Sequence, residues 1–168
     1  MDIQTFPHFL TEEECNLFID KIRTTHATNF TDSGKFTNKK WTDQELANRF
    51  YKRLQSFDSH SNYLRPNNLI MAGLYKSGDS FGIHTDTGLF YDRNLKEKSK
   101  WTLLIYLNDT FEGGETVFYH SDNWEEAYRI RPKLGMGLLF DIDLWHSGMP
   151  VYNGEKYWIG CEIIGKYK

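Results

Sequence analysis

The chain predicts a mainly β fold with flanking helices, a double-sheet jelly roll behind an N-terminal helical layer, built as a single domain over residues 1–168. Three observations lead there. Apolar residues recur at helical spacing up to about Ser59, then switch to short strand-like runs after Pro66. Those runs are punctuated by Gly78, Gly88, Gly113-Gly114, Pro132, Gly135 and Gly154, the residues that make turns. Aromatic residues reach 16%, and large aromatics suit pleated, half-buried surfaces.

Taken in order, Thr11-Glu12-Glu13-Glu14 has the form of a capping box, with Thr11 at the N-cap and Glu14 at N3. Cys15, Phe18, Ile19 and Ile22 follow on one helical face. The polar stretch 24–40 reads as a long loop. A second box is expected from Thr42 to Glu45, opening a helix with the stripe Leu46, Ala47, Phe50, Tyr51 and Leu54. Strands are expected near 68–76, 81–86, 101–108, 115–119, 127–131, 137–141, 146–151 and 157–164. The loops 24–40 and 87–100 exceed the usual connection length, which marks them as candidate lids.

Net charge is −3 and the sequence pI about 6.1, so no global field favours nucleic acid or an anionic membrane. No basic region followed by an apolar run stands at the N-terminus, and no apolar stretch reaches the ~20 residues of a membrane span. A cytoplasmic location is the expectation. Cys15 and Cys161 fall on apolar faces, where buried free thiols in a reducing compartment are expected.

The chemistry concentrates in the second half. Residues i and i+2 of a strand point to one side, so His84 and Asp86 project together at a strand end. His146 opens a strand near the end of the chain, which a jelly roll can bring back beside the first. Two imidazoles and one carboxylate on one face of an octahedral ion leave three positions open, the pattern of non-heme Fe(II) sites. A lone His-x-Asp is common at turns, so the weight lies on what accompanies it. Lys156 follows His146 by ten residues, just inside the last strand. In the segment 101–107, Trp101, Leu103, Ile105 and Leu107 make an apolar face, whereas Thr102, Leu104 and Tyr106 make one carrying hydroxyls. Such hydroxyls, with Tyr75, suit a pocket that must offset the desolvation of a carboxylate. His8, His26, His60 and His120 lack ligand-spaced partners and read as surface residues; Asp141-Ile142-Asp143 reads as turn chemistry.

Three segments carry a resemblance: Tyr75 through Asp86, Gly113-Gly114-Glu115-Thr116-Val117-Phe118, and Leu144 through Val151. Together with the opening Phe9-Leu10-Thr11-Glu12-Glu13-Glu14-Cys15, they resemble the catalytic domain of prolyl 4-hydroxylase-type Fe(II)- and 2-oxoglutarate-dependent dioxygenases. The resemblance implies a double-stranded β-helix, with iron on His84, Asp86 and His146 and the 5-carboxylate of 2-oxoglutarate on Lys156. Tyr75, Thr102 and Tyr106 match positions lining the co-substrate pocket. It further implies O2 as oxidant, succinate and CO2 as products, ascorbate as an accessory cofactor and a peptide or protein substrate. Two departures stand out: Glu162 occupies a position where collagen-type members carry tryptophan, and the 87–100 loop holds the charged run Lys96-Glu97-Lys98. Oxygenases of free amino acids, other small molecules or nucleic-acid bases, and a non-catalytic cupin-like binding module, are the alternatives.

Overall fold

The computed structural model describes residues 3–26, 34–58 and 62–167. The elements run β1 (Ile3–Phe6), α1 (Glu12–Thr24), β2 (Gly34–Lys35), β3 (Thr37–Thr42) and α2 (Gln44–Phe57). Then come β4 (Arg65–Pro66), β5 (Leu69–Tyr75), β6 (Ser80–His84), β7 (Tyr91–Asp92) and β8 (Glu97–Tyr106). The last third holds β9 (Glu112–Gly113), β10 (Thr116–Tyr119), β11 (Glu126–Ile130), β12 (Gly137–Asp141), β13 (His146–Gly148), β14 (Val151–Asn153) and β15 (Lys156–Lys166).

The strands form two sheets and a small ribbon. The major sheet has the order β1-β12-β8-β15-β5-β3, the minor one β11-β10-β13-β6-β2, and β14 pairs with β9; the pairings are antiparallel. This is the expected jelly-roll class. Alternation along β8 decides where the cores lie. Trp101, Leu103 and Ile105 join the large core with Phe18 and Ile22 of α1 and with Leu46, Phe50 and Leu54 of α2. Each such buried side chain contributes roughly 1.5–3 kcal/mol. The opposite face of β8 turns inward, where Tyr106 joins Phe118, Leu138 and Phe140 in a much smaller cluster. The mouth left open between the sheets is where the polar residues collect.

Helix α1 begins as expected, with the Thr11 hydroxyl accepting from the Glu14 backbone and the Glu14 carboxylate accepting from the Thr11 backbone. At α2 the cap moves by one residue: Asp43, not Thr42, is the N-cap, and its carboxylate accepts from Leu46 N at 2.9 Å. Part of the expected loop 24–40 is strand. Its residues 27–33, with Phe30, lie outside the described residues, as does His60. But β3 pairs with β5 along its whole length. Its polar composition disguised it, because Lys39 is buried for a reason local sequence does not reveal. The Lys39 ammonium donates to the carbonyls of Ile22 and Thr25, capping the negative C-terminal end of α1. The 87–100 segment is likewise shorter as a loop than expected, because β7 pairs with the start of β8 and the charged Glu97 and Lys98 are already strand. The strand expected at 146–151 divides into β13 and β14 around Pro150, which has no N–H to donate.

Candidate metal centre

His84 ends β6 and His146 opens β13, and the register sets them directly opposite one another in the minor sheet. Asp86 follows β6 by two residues and hangs from the major sheet through its backbone, Asp86 N donating to Ile142 O at 2.9 Å. One nitrogen from each imidazole and one carboxylate oxygen lie within 4.8 Å of one another. Both Nε2 atoms stand 3.7 Å from Asp86 Oδ1.

The far side of each ring is tied to backbone. His84 Nδ1 is 2.7 Å from Gly82 O and His146 Nδ1 is 2.8 Å from Leu144 O. A carbonyl accepts only, so Nδ1 carries a proton in both rings and Nε2 is the atom that faces the shared space. Burial, then the neighbouring His146, hold His84 down to about pKa 4, which keeps that ring neutral at pH 7. Asp86 is oriented from the major sheet: Thr102 Oγ1 donates to Asp86 Oδ2 at 2.5 Å, leaving Oδ1 toward the histidines. Aromatic rings wall the group, with Phe81 stacked on His84 at 3.7 Å and Phe140 edge-on to His146 at 4.8 Å. This donor set fits a divalent transition ion held on one face, with the remaining positions open toward the cleft.

The cleft continues from the triad between the sheets, about 360 Å³ in volume, lined among others by Tyr75, Thr102, Thr116, His146, Lys156 and Glu162. Lys156 stands at one end, only 3% exposed. Its ammonium donates to Gly114 O at 2.7 Å and lies 4.9 Å from the Tyr75 ring and 5.5 Å from the Tyr106 ring. Gly113 and Gly114 both hold positive φ, 77° and 67°, a backbone path that brings this carbonyl to the lysine. Burial lowers the Lys156 pKa to about 7, with Glu115 opposing.

Of the three hydroxyl residues expected in the pocket, Tyr75 and Thr102 line the cleft. The Thr102 hydroxyl is engaged by Asp86, and Tyr106 is fully buried with its hydroxyl 2.6 Å from Thr116 Oγ1. Asp141 and Asp143 do make a turn, Asp143 N donating to Asp141 Oδ1 at 2.9 Å. Residues that the sequence pattern did not single out include Thr116 and Trp158. Glu162, noted only as a departure, is 2% exposed and accepts from Leu89 N at 2.8 Å, Ser99 Oγ at 2.5 Å and Asn67 Nδ2 at 3.3 Å. The rim of the 87–100 segment is therefore pinned at its start. Their common signal was inward-facing register on β8, β10 and β15, visible only once the strands are paired.

A fold of two antiparallel sheets enclosing a two-histidine, one-carboxylate group and a buried lysine defines a class, and sequence comparison agrees: residues 70–161 match the 2OG-Fe(II) oxygenase superfamily. The chain belongs to that family. Its sequence is 31% identical over 123 residues to probable prolyl 4-hydroxylase 6 of Arabidopsis thaliana, a match covering 56% of this chain and 42% of that protein. The chain thus spans less than half the length of this curated relative. Among solved structures, the viral collagen prolyl hydroxylase of Paramecium Bursaria Chlorella virus-1, in complex with 2OG, superimposes with a TM-score of 0.73 at 24% identity. That likeness covers 97% of this chain and 96% of the viral one. A Trichoplax adhaerens prolyl hydroxylase, in complex with a hypoxia inducible factor peptide fragment, gives a TM-score of 0.65 at 20% identity, covering 97% of this chain and 83% of its own. At these identities the structures speak for the fold. No helix among the described residues is long and apolar enough to cross a membrane.

Proposed function

We propose that this chain is an Fe(II)- and 2-oxoglutarate-dependent dioxygenase that hydroxylates a residue, proline first, in a flexible peptide segment of a protein. The observation that carries the reading is the convergence of His84 Nε2, His146 Nε2 and an Asp86 oxygen within 4.8 Å, beside a buried lysine on the same cleft. His84, Asp86 and His146 would hold the iron. Bound iron and 2-oxoglutarate supply the oxidising chemistry, with succinate and CO2 as co-products and ascorbate as accessory reductant.

The chain's own residues do the rest. Lys156 binds the distal carboxylate of 2-oxoglutarate, and Tyr75 presents its ring beside that ion pair. Burial holds the Tyr75 phenol well above its ordinary pKa, so it stays a neutral hydrogen-bond donor. Thr102 keeps one Asp86 oxygen occupied and leaves the other, which faces the histidines, as the one that would hold the metal. Tyr106 and Thr116 lock one another and close the pocket behind the lysine. Phe81 packs on His84, and Phe118 and Phe140 pack on His146, which shields one side of each ring and fixes its orientation. A peptide substrate accords with the peptide-bound Trichoplax neighbour and with the Arabidopsis relative's name.

The test is a screen of proline-containing peptides and small molecules for substrate-coupled 2-oxoglutarate consumption by the iron-loaded protein. Stoichiometric succinate with a peptide is the expected result. Iron and 2-oxoglutarate binding without any succinate would make the chain a binding module instead.

A further inference from the structure

Strand β15 alternates, so Lys156, Trp158 and Glu162 all face the cleft, whereas Tyr157, Ile159, Cys161 and Ile163 face the helices. The register sets Trp158 opposite Gly73 on β5. A Cβ at position 73 would fall 2.1 Å from Trp158 Nε1 and 2.5 Å from Cε2, so the indole lies directly across the bare glycine backbone. Any other residue there would force the ring to move. Trp158 is partly exposed, and Met71 and Leu89 line the cleft with it.

The acidic group on this side of the cleft is already engaged. The Glu162 carboxylate is taken up by Leu89 N, Ser99 Oγ and Asn67 Nδ2, so it holds the rim loop in place and leaves the Leu89 side chain as the wall.

We propose that Trp158, lying over Gly73 on a cleft also lined by Met71 and Leu89, forms a substrate subsite for an uncharged apolar side chain adjacent to the residue that reacts. It rests on the peptide-oxygenase reading above. A flat aromatic surface, with a thioether and an aliphatic side chain on the same cleft, buries an apolar group at little entropic cost. Trp158 is thus a specificity-determining residue, and Glu162 a positioning residue acting through Leu89.

The experiment uses the iron-loaded chain with acetylated alanine octapeptides around one proline, carrying Leu, Lys or Glu directly before or directly after it. Wild type should turn over a Leu peptide with kcat/KM at least tenfold above its Lys and Glu counterparts, a ratio typical of one well-formed apolar pocket. Trp158→Ala should reduce that preference to within about threefold. Gly73→Ala, which keeps the indole but displaces it, should do the same, with melting curves confirming that both variants fold. A preference that survives in both variants overturns the subsite. So does a wild-type protein that releases succinate from 2-oxoglutarate alone yet turns over all the peptides equally, or none. Failure to release succinate under any condition overturns the oxygenase reading itself, and the subsite with it.

Discussion

A lysine ammonium enclosed by two phenol rings and a single carbonyl is poorly solvated, and that has consequences for pH. Burial lowers the Lys156 pKa to about 7, below its ordinary value of 10.5. The unfolded chain therefore binds more protons than the folded one between those values, and ligand-free stability should rise as pH increases from 7 toward 10. A 2-oxoglutarate carboxylate beside the ammonium reverses the balance, because it favours the charged form. Binding above pH 7 must then take up a proton, and affinity should fall with rising pH, approaching tenfold per unit. Calorimetric titration of the iron-loaded protein at pH 6.5 and 8.5 checks this, and a flat profile would separate Lys156 from the carboxylate. Lys156→Ala should weaken 2-oxoglutarate far more than iron. Thr102 makes the complementary case. Its hydroxyl reaches Asp86 and not a free carboxylate, so Thr102→Val should lower iron affinity about 10–100-fold, the usual effect of losing a group that orients a ligand. Thr102→Ser should restore most of it in an Fe(II) titration.

Helices α1 and α2 are joined by a polar knot in which Arg53 of α2 donates to Glu14 at 2.6 and 3.0 Å and to Phe9 O at 3.0 Å. The Arg53 guanidinium holds the Glu14 carboxyl below its ordinary pKa while Glu14 also completes the cap on Thr11. Thr11→Ala should cost about 1 kcal/mol in a urea melt, the common value for a lost N-cap. This cap was legible in sequence because its whole logic spans four residues. β3 was not, since Lys39 is buried by carbonyls at the end of α1. The same division runs through the site. His84, Asp86 and His146 could be read because period-two alternation and strand ends are local properties. The roles of Thr102, Trp158 and Glu162 depend on the register of β8 and β15, which sets Glu162 opposite Thr102, and that of Thr116 on the pairing of β10; no single segment encodes these pairings. The candidate lid at 87–100 changed character for the same reason: a glutamate on a distant strand ties its first residues down.

Stability and chemistry occupy opposite faces of the major sheet. The large core lies outside, where Leu103 and Ile105 of β8 and Ile159 and Cys161 of β15 meet the helices, all fully buried. The inward face carries only the small cluster around Tyr106 and Phe118, and beyond it the polar cleft. Removing a side chain of the His-Asp-His triad should therefore spare the fold. His84→Ala and Asp86→Ala proteins should melt within a few degrees of metal-free wild type, since both side chains sit at the partly exposed mouth. Leu103→Ala, by contrast, leaves a cavity among well-packed neighbours and should cost roughly 2–5 kcal/mol. The metal response inverts that ranking. A ligand that binds only the folded state stabilises it by RT ln(1 + [L]/Kd), about 2.7 kcal/mol at a hundredfold excess over Kd. Wild type and Leu103→Ala should both gain this increment with anaerobic Fe(II), whereas the triad variants should gain little. Paired melting curves with and without Fe(II) decide it, and a His146→Ala protein that kept the full increment and released succinate at the wild-type rate would dismiss the triad as the iron site.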